Sequence, residues 1–251
     1  MPGFFGTVIF SLIMGFSIFL SLPIVLRKKT GEKTIRMLNA ISIGILIFLL
    51  ADVFSDVASG LFSGRSNAGY SANPLLSAIF VVGFGIGFFM LYLFENRSKN
   101  GLTPNRMALM IAIGMGLQNL TEGLVFGAFS ASMGLLSGVS LVVLTGFLLQ
   151  NITEGFPIAS PFLNHDQKKL GPMAVLLFIG GFPTVIGGIL GFYFSSTPFN
   201  IFVDGLAVGA ILYVILPMIK HQLKDIDPIK QKLVYAGIFL GFLIGFLVNL
   251  I

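Results

Sequence analysis

Cysteine is absent from the 251 residues, so neither disulfides nor thiolate metal ligands are available and any metal has to be held by oxygen or nitrogen. Charge is scarce: Asp, Glu, Lys and Arg together supply 10% of the chain, against 55% hydrophobic residues, a balance outside the range of soluble domains. Histidine occurs only at His165 and His221. There is no GxxxxGK(S/T) phosphate loop, so transport energised by ATP within this chain is not expected. Neither a GxGD segment nor HExxH occurs.

What is present is long apolar runs. About 20 residues cross ~30 Å of hydrocarbon, and eight runs of that order fit the chain, at 4–26, 37–59, 74–95, 106–130, 135–159, 172–195, 199–219 and 233–251. Too little lies between them for a separate soluble domain, so residues 1–251 read as a single transmembrane domain, an all-α membrane protein with eight transmembrane helices. The first run has no basic segment before it or small-residue cleavage site after it, and Arg27, Lys28 and Lys29 follow it, which argues against a removed signal peptide.

The net charge of +5 does not point to nucleic acid, because the basic residues are spread through loops next to apolar spans. Loop by loop, with Arg106 taken with the third loop, Lys and Arg number 5, 1, 3, 0, 2, 0 and 4, so the odd loops hold 14 of 15. Excess Lys and Arg mark the cytoplasmic side. Both termini are therefore expected on the extracytoplasmic side of a multi-pass protein of the cell membrane.

Asp52, Asp56, Glu122 and Glu154 fall inside spans with no basic residue to pair with. An ionised side chain near the bilayer centre costs at least ~2.5–3.5 kcal/mol, so such groups face a bundle interior, a hydrated cavity or a cation. Protonated, hydrogen-bonded packing residues are the alternative. A repeat favours the cation: LQNLTEG (117–123) on the fourth span and LQNITEG (149–155) on the fifth share six of seven positions. At ~100° per residue, Gln118, Asn119 and Glu122 converge on one helix face, as do Gln150, Asn151 and Glu154. The short connection makes the two spans antiparallel neighbours, so two carboxylates and four amide oxygens can meet around a divalent ion. Thr121 and Thr153 read as packing residues that bond a carbonyl one turn back. The Asn-x-Thr triplets here lie within the membrane and are not read as glycosylation sites.

Asp52 and Asp56 are four residues apart on one face of the second span, either a mouth for cations or a packing crevice with Ser55. Asp204 is expected at an outer helix end. His165 (beside Asp166) and His221 fall in cytoplasmic loops, as solvated residues or as receivers of metal at an inner exit. The pairs Gly83/Gly87, Gly187/Gly191 and Gly241/Gly245 are spaced for close helix packing.

Two adjacent spans with polar-Asn-x-x-Glu-Gly segments, within eight spans having both ends outside, resemble the ZIP family of zinc and iron transporters. That resemblance implies a binuclear metal centre between the fourth and fifth spans, with Asn119, Glu122, Asn151 and Glu154 at ligand positions. Gln118 and Gln150 stand where the family has His, Thr121 and Thr153 where Pro is frequent, and Phe182 where many members have a sixth-span Glu. The third loop is short, and the acidic and His residues common on the seventh span are not evident. A single-metal, all-oxygen site is the simplest inference; zinc or iron follows from the family, manganese or another hard ion from ligand chemistry. The expected function is secondary transport of divalent metal cations, carried as substrate with no cofactor. Expected partners are such ions and the lipid bilayer, with no nucleic acid and a homodimer left open. The rivals are a non-transporting sensor or degenerate relative, and an intramembrane enzyme using paired carboxyls. No enzymatic activity is expected, because amides around each Glu suit coordination better than proton transfer.

Overall fold

The computed structural model describes residues 2–25, 32–62, 65–66, 69–70, 73–97, 103–162, 170–224 and 227–250. It is helical but for one two-residue strand pair. The helices are α1 (Pro2–Ser17), α2 (Leu22–Val25), α3 (Glu32–Leu61), α4 (Pro74–Asn96), α5 (Pro104–Met133), α6 (Gly138–Ala159), α7 (Leu170–Gly181), α8 (Pro183–Phe194), α9 (Thr197–Leu223) and α10 (Pro228–Asn249). A 3₁₀ turn, Ile18–Ser21, joins α1 to α2. Strands β1 (Arg65–Ser66) and β2 (Gly69–Tyr70) pair antiparallel between α3 and α4.

Helix starts follow a repeated local device. Asn73, Thr103 and Asp227 each cap a helix with a side-chain oxygen, and each is followed by a proline at the first helical position. The cap satisfies amide donors that have no carbonyl one turn back, and proline lacks the donor that would go unused there. At α10 the Asp227 carboxylate accepts from the amides of Ile229 and Lys230, both at 2.9 Å. Those bonds, that of Lys230 foremost, hold its carboxyl below the usual carboxylate range.

Among the described residues, seven helical segments are long and apolar enough to cross a membrane: Gly3–Ser21, Lys33–Leu61, Pro74–Asn96, Pro104–Met133, Leu170–Phe194, Thr197–Leu223 and Pro228–Asn249. The protein is a multi-pass membrane protein. Helix α6 occupies the expected fifth span and has 22 residues, but it is not one of the seven. The sixth span is two helices, broken where Phe182 leads into Pro183, whose nitrogen carries no hydrogen for the carbonyl of Ile179.

Glycine sets which helices touch. A Cβ on Gly83 would lie 2.4 Å from the Phe202 carbonyl oxygen, one on Gly209 2.1 Å from that of Phe84, and so α4 and α9 meet backbone to backbone. The same holds for α3 against α10 (Gly44 to Ile238 oxygen, 2.1 Å) and α5 against α8 (Gly187 to Leu120 oxygen, 2.2 Å). In lipid, where burial of apolar surface does not drive helices together, such close packing is a main source of cohesion. Helix α5 is the least apolar of the seven segments and also the most buried, with 72% of an 18-residue apolar stretch buried against 17% for α4. That inversion puts the polar residues of α5 inside the bundle.

Candidate metal centre

Residue Gly134, at φ 90°, turns the chain between α5 and α6, a backbone region in which any side chain is strained. Ser137 then caps α6 by accepting from the Ser140 amide at 3.1 Å. The tight connection folds α6 back along α5 and brings the two repeats together. Gln118, Asn119, Glu122, Gln150, Asn151 and Glu154 are all buried, none more than 4% exposed.

Glu122 is held from both helices. Gln118 Nε2 donates to its Oε1 at 2.6 Å from the preceding turn, and Asn151 Nδ2 donates to its Oε2 at 3.1 Å across the helix pair. Asn151 Nδ2 also donates to the Phe147 carbonyl at 2.9 Å, and Asn119 Nδ2 to the Gly180 carbonyl of α7 at 3.0 Å. The nitrogens of Gln118, Asn119 and Asn151 are thus engaged. Gln118 Oε1, Asn119 Oδ1, Asn151 Oδ1 and both carboxylate oxygens of Glu154 are buried without a geometrically formed hydrogen bond, as is the donor Gln150 Nε2, and the amides of Asn119, Gln118 and Gln150 lie close enough to Glu154 to interact with its carboxylate. Glu154 lies within electrostatic range of Glu122. No protein-family model matches this chain, and no curated protein matches it.

The remaining motif positions have structural duties. Thr121 Oγ1 donates to the Gln118 carbonyl and Thr153 Oγ1 to that of Gln150, both at 2.7 Å, so each hydroxyl proton is spent within its own helix, and Thr121 also lines the cavity beside Gln118 and Glu122. A Cβ on Gly123 would lie 2.2 Å from the Thr184 carbonyl oxygen, and one on Gly155 2.6 Å from that of Ile18. The glycine after each Glu is therefore where α8 and the 3₁₀ turn press against the site. Among the described residues no three His, Cys, Asp or Glu side chains cluster closely enough to hold a metal. The repeat brings two carboxylates together with amides.

A cavity of about 340 Å³ reaches the centre, with Gln118 and Glu122 in its wall and Asp52, Asp56, Asn200 and Asp204 around it. Asp52 and Asp56 line the same cavity as Gln118 and Glu122, and Asp52 accepts from Asn249 Nδ2 of α10 at 2.7 Å. Asp204 corrects the sequence-based expectation: it stands seven residues inside α9, which begins at Thr197, instead of at a helix end. Pro198 in the first turn was the signal that would have placed it there.

Phe182 is 36% exposed and stacks on Phe178 with ring centroids 4.8 Å apart, turned away from the repeat. His221 is exposed on the last turn of α9, beside a second cavity of about 130 Å³ that Asn39 and Gln222 also line. His165 and Asp166 lie outside the described residues. A contact not anticipated joins Tyr213, whose hydroxyl donates to the Glu95 carboxylate, tying α9 to the end of α4.

Proposed function

We propose that this chain carries divalent metal cations across the cell membrane as a secondary transporter, through the site formed by Gln118, Asn119 and Glu122 of α5 and Gln150, Asn151 and Glu154 of α6. The observation that carries the reading is the set of five buried acceptor oxygens without a formed hydrogen bond. Each buried polar atom left unsatisfied costs about 1–3 kcal/mol. Protons relieve this poorly: Glu122 already accepts on both oxygens, and one proton on Glu154 donates to a single acceptor. A cation of charge two neutralises both carboxylates and takes the amide oxygens as ligands at once, which also speaks against the reading of the acids as protonated packing residues.

In this proposal α6 is the fifth of eight spans, joining the seven apolar segments, both termini are extracytoplasmic, and the relation is to the ZIP transporters. Without imidazole or thiolate in the repeat, the ligand chemistry favours oxygen-loving ions such as Mn²⁺ over Zn²⁺.

The test is uptake of Mn²⁺, Fe²⁺, Zn²⁺ and Mg²⁺ into proteoliposomes by the native protein and by the Glu122→Gln, Glu154→Gln variant. Native uptake lost in the variant is the expected result. Equal flux through both would overturn the reading; binding lost in the variant with no native uptake would make the protein a sensor.

A further inference from the structure

The cavity leading to Glu122 carries more negative charge than the repeat needs. Its wall takes Asp52 and Asp56 from one face of α3 and Asp204 from α9, and no Lys, Arg or His lines it. Positions 197, 200 and 204 of α9 fall on one face at helical spacing, as do 52, 56 and 59 of α3. At 1.5 Å per residue, Asp56, Asp204, Asp52 and Glu122 lie roughly 8, 10, 14 and 16 Å from the nearer ends of their helices at Leu61, Thr197 and Met133. They form a descending series. Asp204 lies within electrostatic range of Asp56, Asp56 of Asp52, and Asp52 of Glu122.

Acidic groups along a crevice do not by themselves make a site, but here a second observation points to a ligand. Gln118 is 1% exposed, lines this same cavity and holds its Oε1 without a donor. One turn from Asp204, Asn200 Oδ1 is likewise buried without a partner.

We propose that Asp56, Asp204 and Asp52 form a separate capture site for a hydrated divalent cation, which passes from there to Glu122. The ion keeps its water, because no three of the described carboxylates approach closely enough to bind one metal directly. Six waters at about 30 Å³ each fill about 180 Å³, and the cavity offers about 340 Å³. Magnesium, which gives up water reluctantly, suits such a site, and manganese, which shares its preference for oxygen ligands, is its paramagnetic probe. Asp204 is the residue that completes it from the opposite helix.

The kinetic side of this inference rests on the carrier reading; the binding side does not. Binding is read by the Mn²⁺ paramagnetic resonance signal in uncharged detergent at low salt. The Glu122→Gln, Glu154→Gln variant should keep a weak Mn²⁺ site that disappears when Asp56→Asn and Asp204→Asn are added. In liposomes, Asp56→Asn with Asp204→Asn should raise KM for Mn²⁺ about tenfold at 10 mM ionic strength and about twofold at 500 mM, because long-range attraction is screened by salt. If the paired variant does not reconstitute, Asp204→Asn alone is read the same way. Absence of the weak site in the double Gln variant, its survival without Asp56 and Asp204, or a salt-independent KM ratio would overturn the capture site. Loss of uptake in the Gln variant with unchanged KM in the Asn variant removes this proposal and leaves the carrier. Absence of native uptake with the Asp-dependent Mn²⁺ site intact does the reverse.

Discussion

Gly123→Ala separates the packing of this bundle from its local helix chemistry. A Cβ at 123 would lie 2.2 Å from the Thr184 carbonyl oxygen, 2.8 Å from the Gly188 nitrogen and 3.0 Å from the Gly187 Cα. All three are backbone atoms, so no rotamer change relieves the clash. Ordinary contact begins at 3.4 Å, and α5 and α8 must part by about 1.2 Å, the difference between 3.4 and 2.2. Overpacking of this kind costs about 1–3 kcal/mol, or a melting temperature lower by roughly 3–10 °C for a chain of this size. Asn119 is one turn before Gly123 on the same side and donates to Gly180 at 3.0 Å, a bond that a shift of this size breaks. Thermal unfolding in detergent should therefore fall together with Mn²⁺ uptake. Gly146→Ala on α6 is the control: its Cβ meets nothing within 4 Å, and its effect should stay within about 0.5 kcal/mol. A Gly123→Ala protein that melts and transports like the native one, or a Gly146→Ala protein equally damaged, would refute the close-packing account.

Two further substitutions test the division of labour within the repeat. Because the Thr121 and Thr153 hydroxyls bond carbonyls of their own helices, the paired Thr→Ala variant should keep uptake within about twofold and melting within ~2 °C; a large loss of transport would make them ligands. Gln118→His with Gln150→His puts imidazole where amides now stand, and the ratio of Zn²⁺ to Mn²⁺ uptake in a competition assay should rise about tenfold. An unchanged ratio would mean that these two side chains do not touch the ion.

The apolar runs and their punctuation were legible in the sequence because both are local. A helix is satisfied within its own segment, and a cap followed by proline marks its start whatever it packs against. So helix covers most of the described residues in the expected spans, and Gln118, Asn119 and Glu122 share a face as periodicity requires. The break at Pro183 and the depth of Asp204 were written in the same local code, through the two prolines 183 and 198. Which oxygens go unsatisfied was not legible. That Asn119 spends its nitrogen on Gly180, and so leaves its oxygen without a donor, depends on α7 lying beside α5 across 61 residues of chain.

The sequence by itself determined a multi-pass helical membrane protein and two buried polar repeats able to meet, since composition, period and turn chemistry act over a few residues. The tertiary structure decided the rest: that the least apolar segment lies at the middle, that Asp52, Asp56 and Asp204 converge on one cavity, and that Phe182 points away. A helical period states which side a residue is on, not what stands opposite. The partner is chosen where glycine lets one backbone touch another far away in the chain, and those contacts exist only once the bundle has closed.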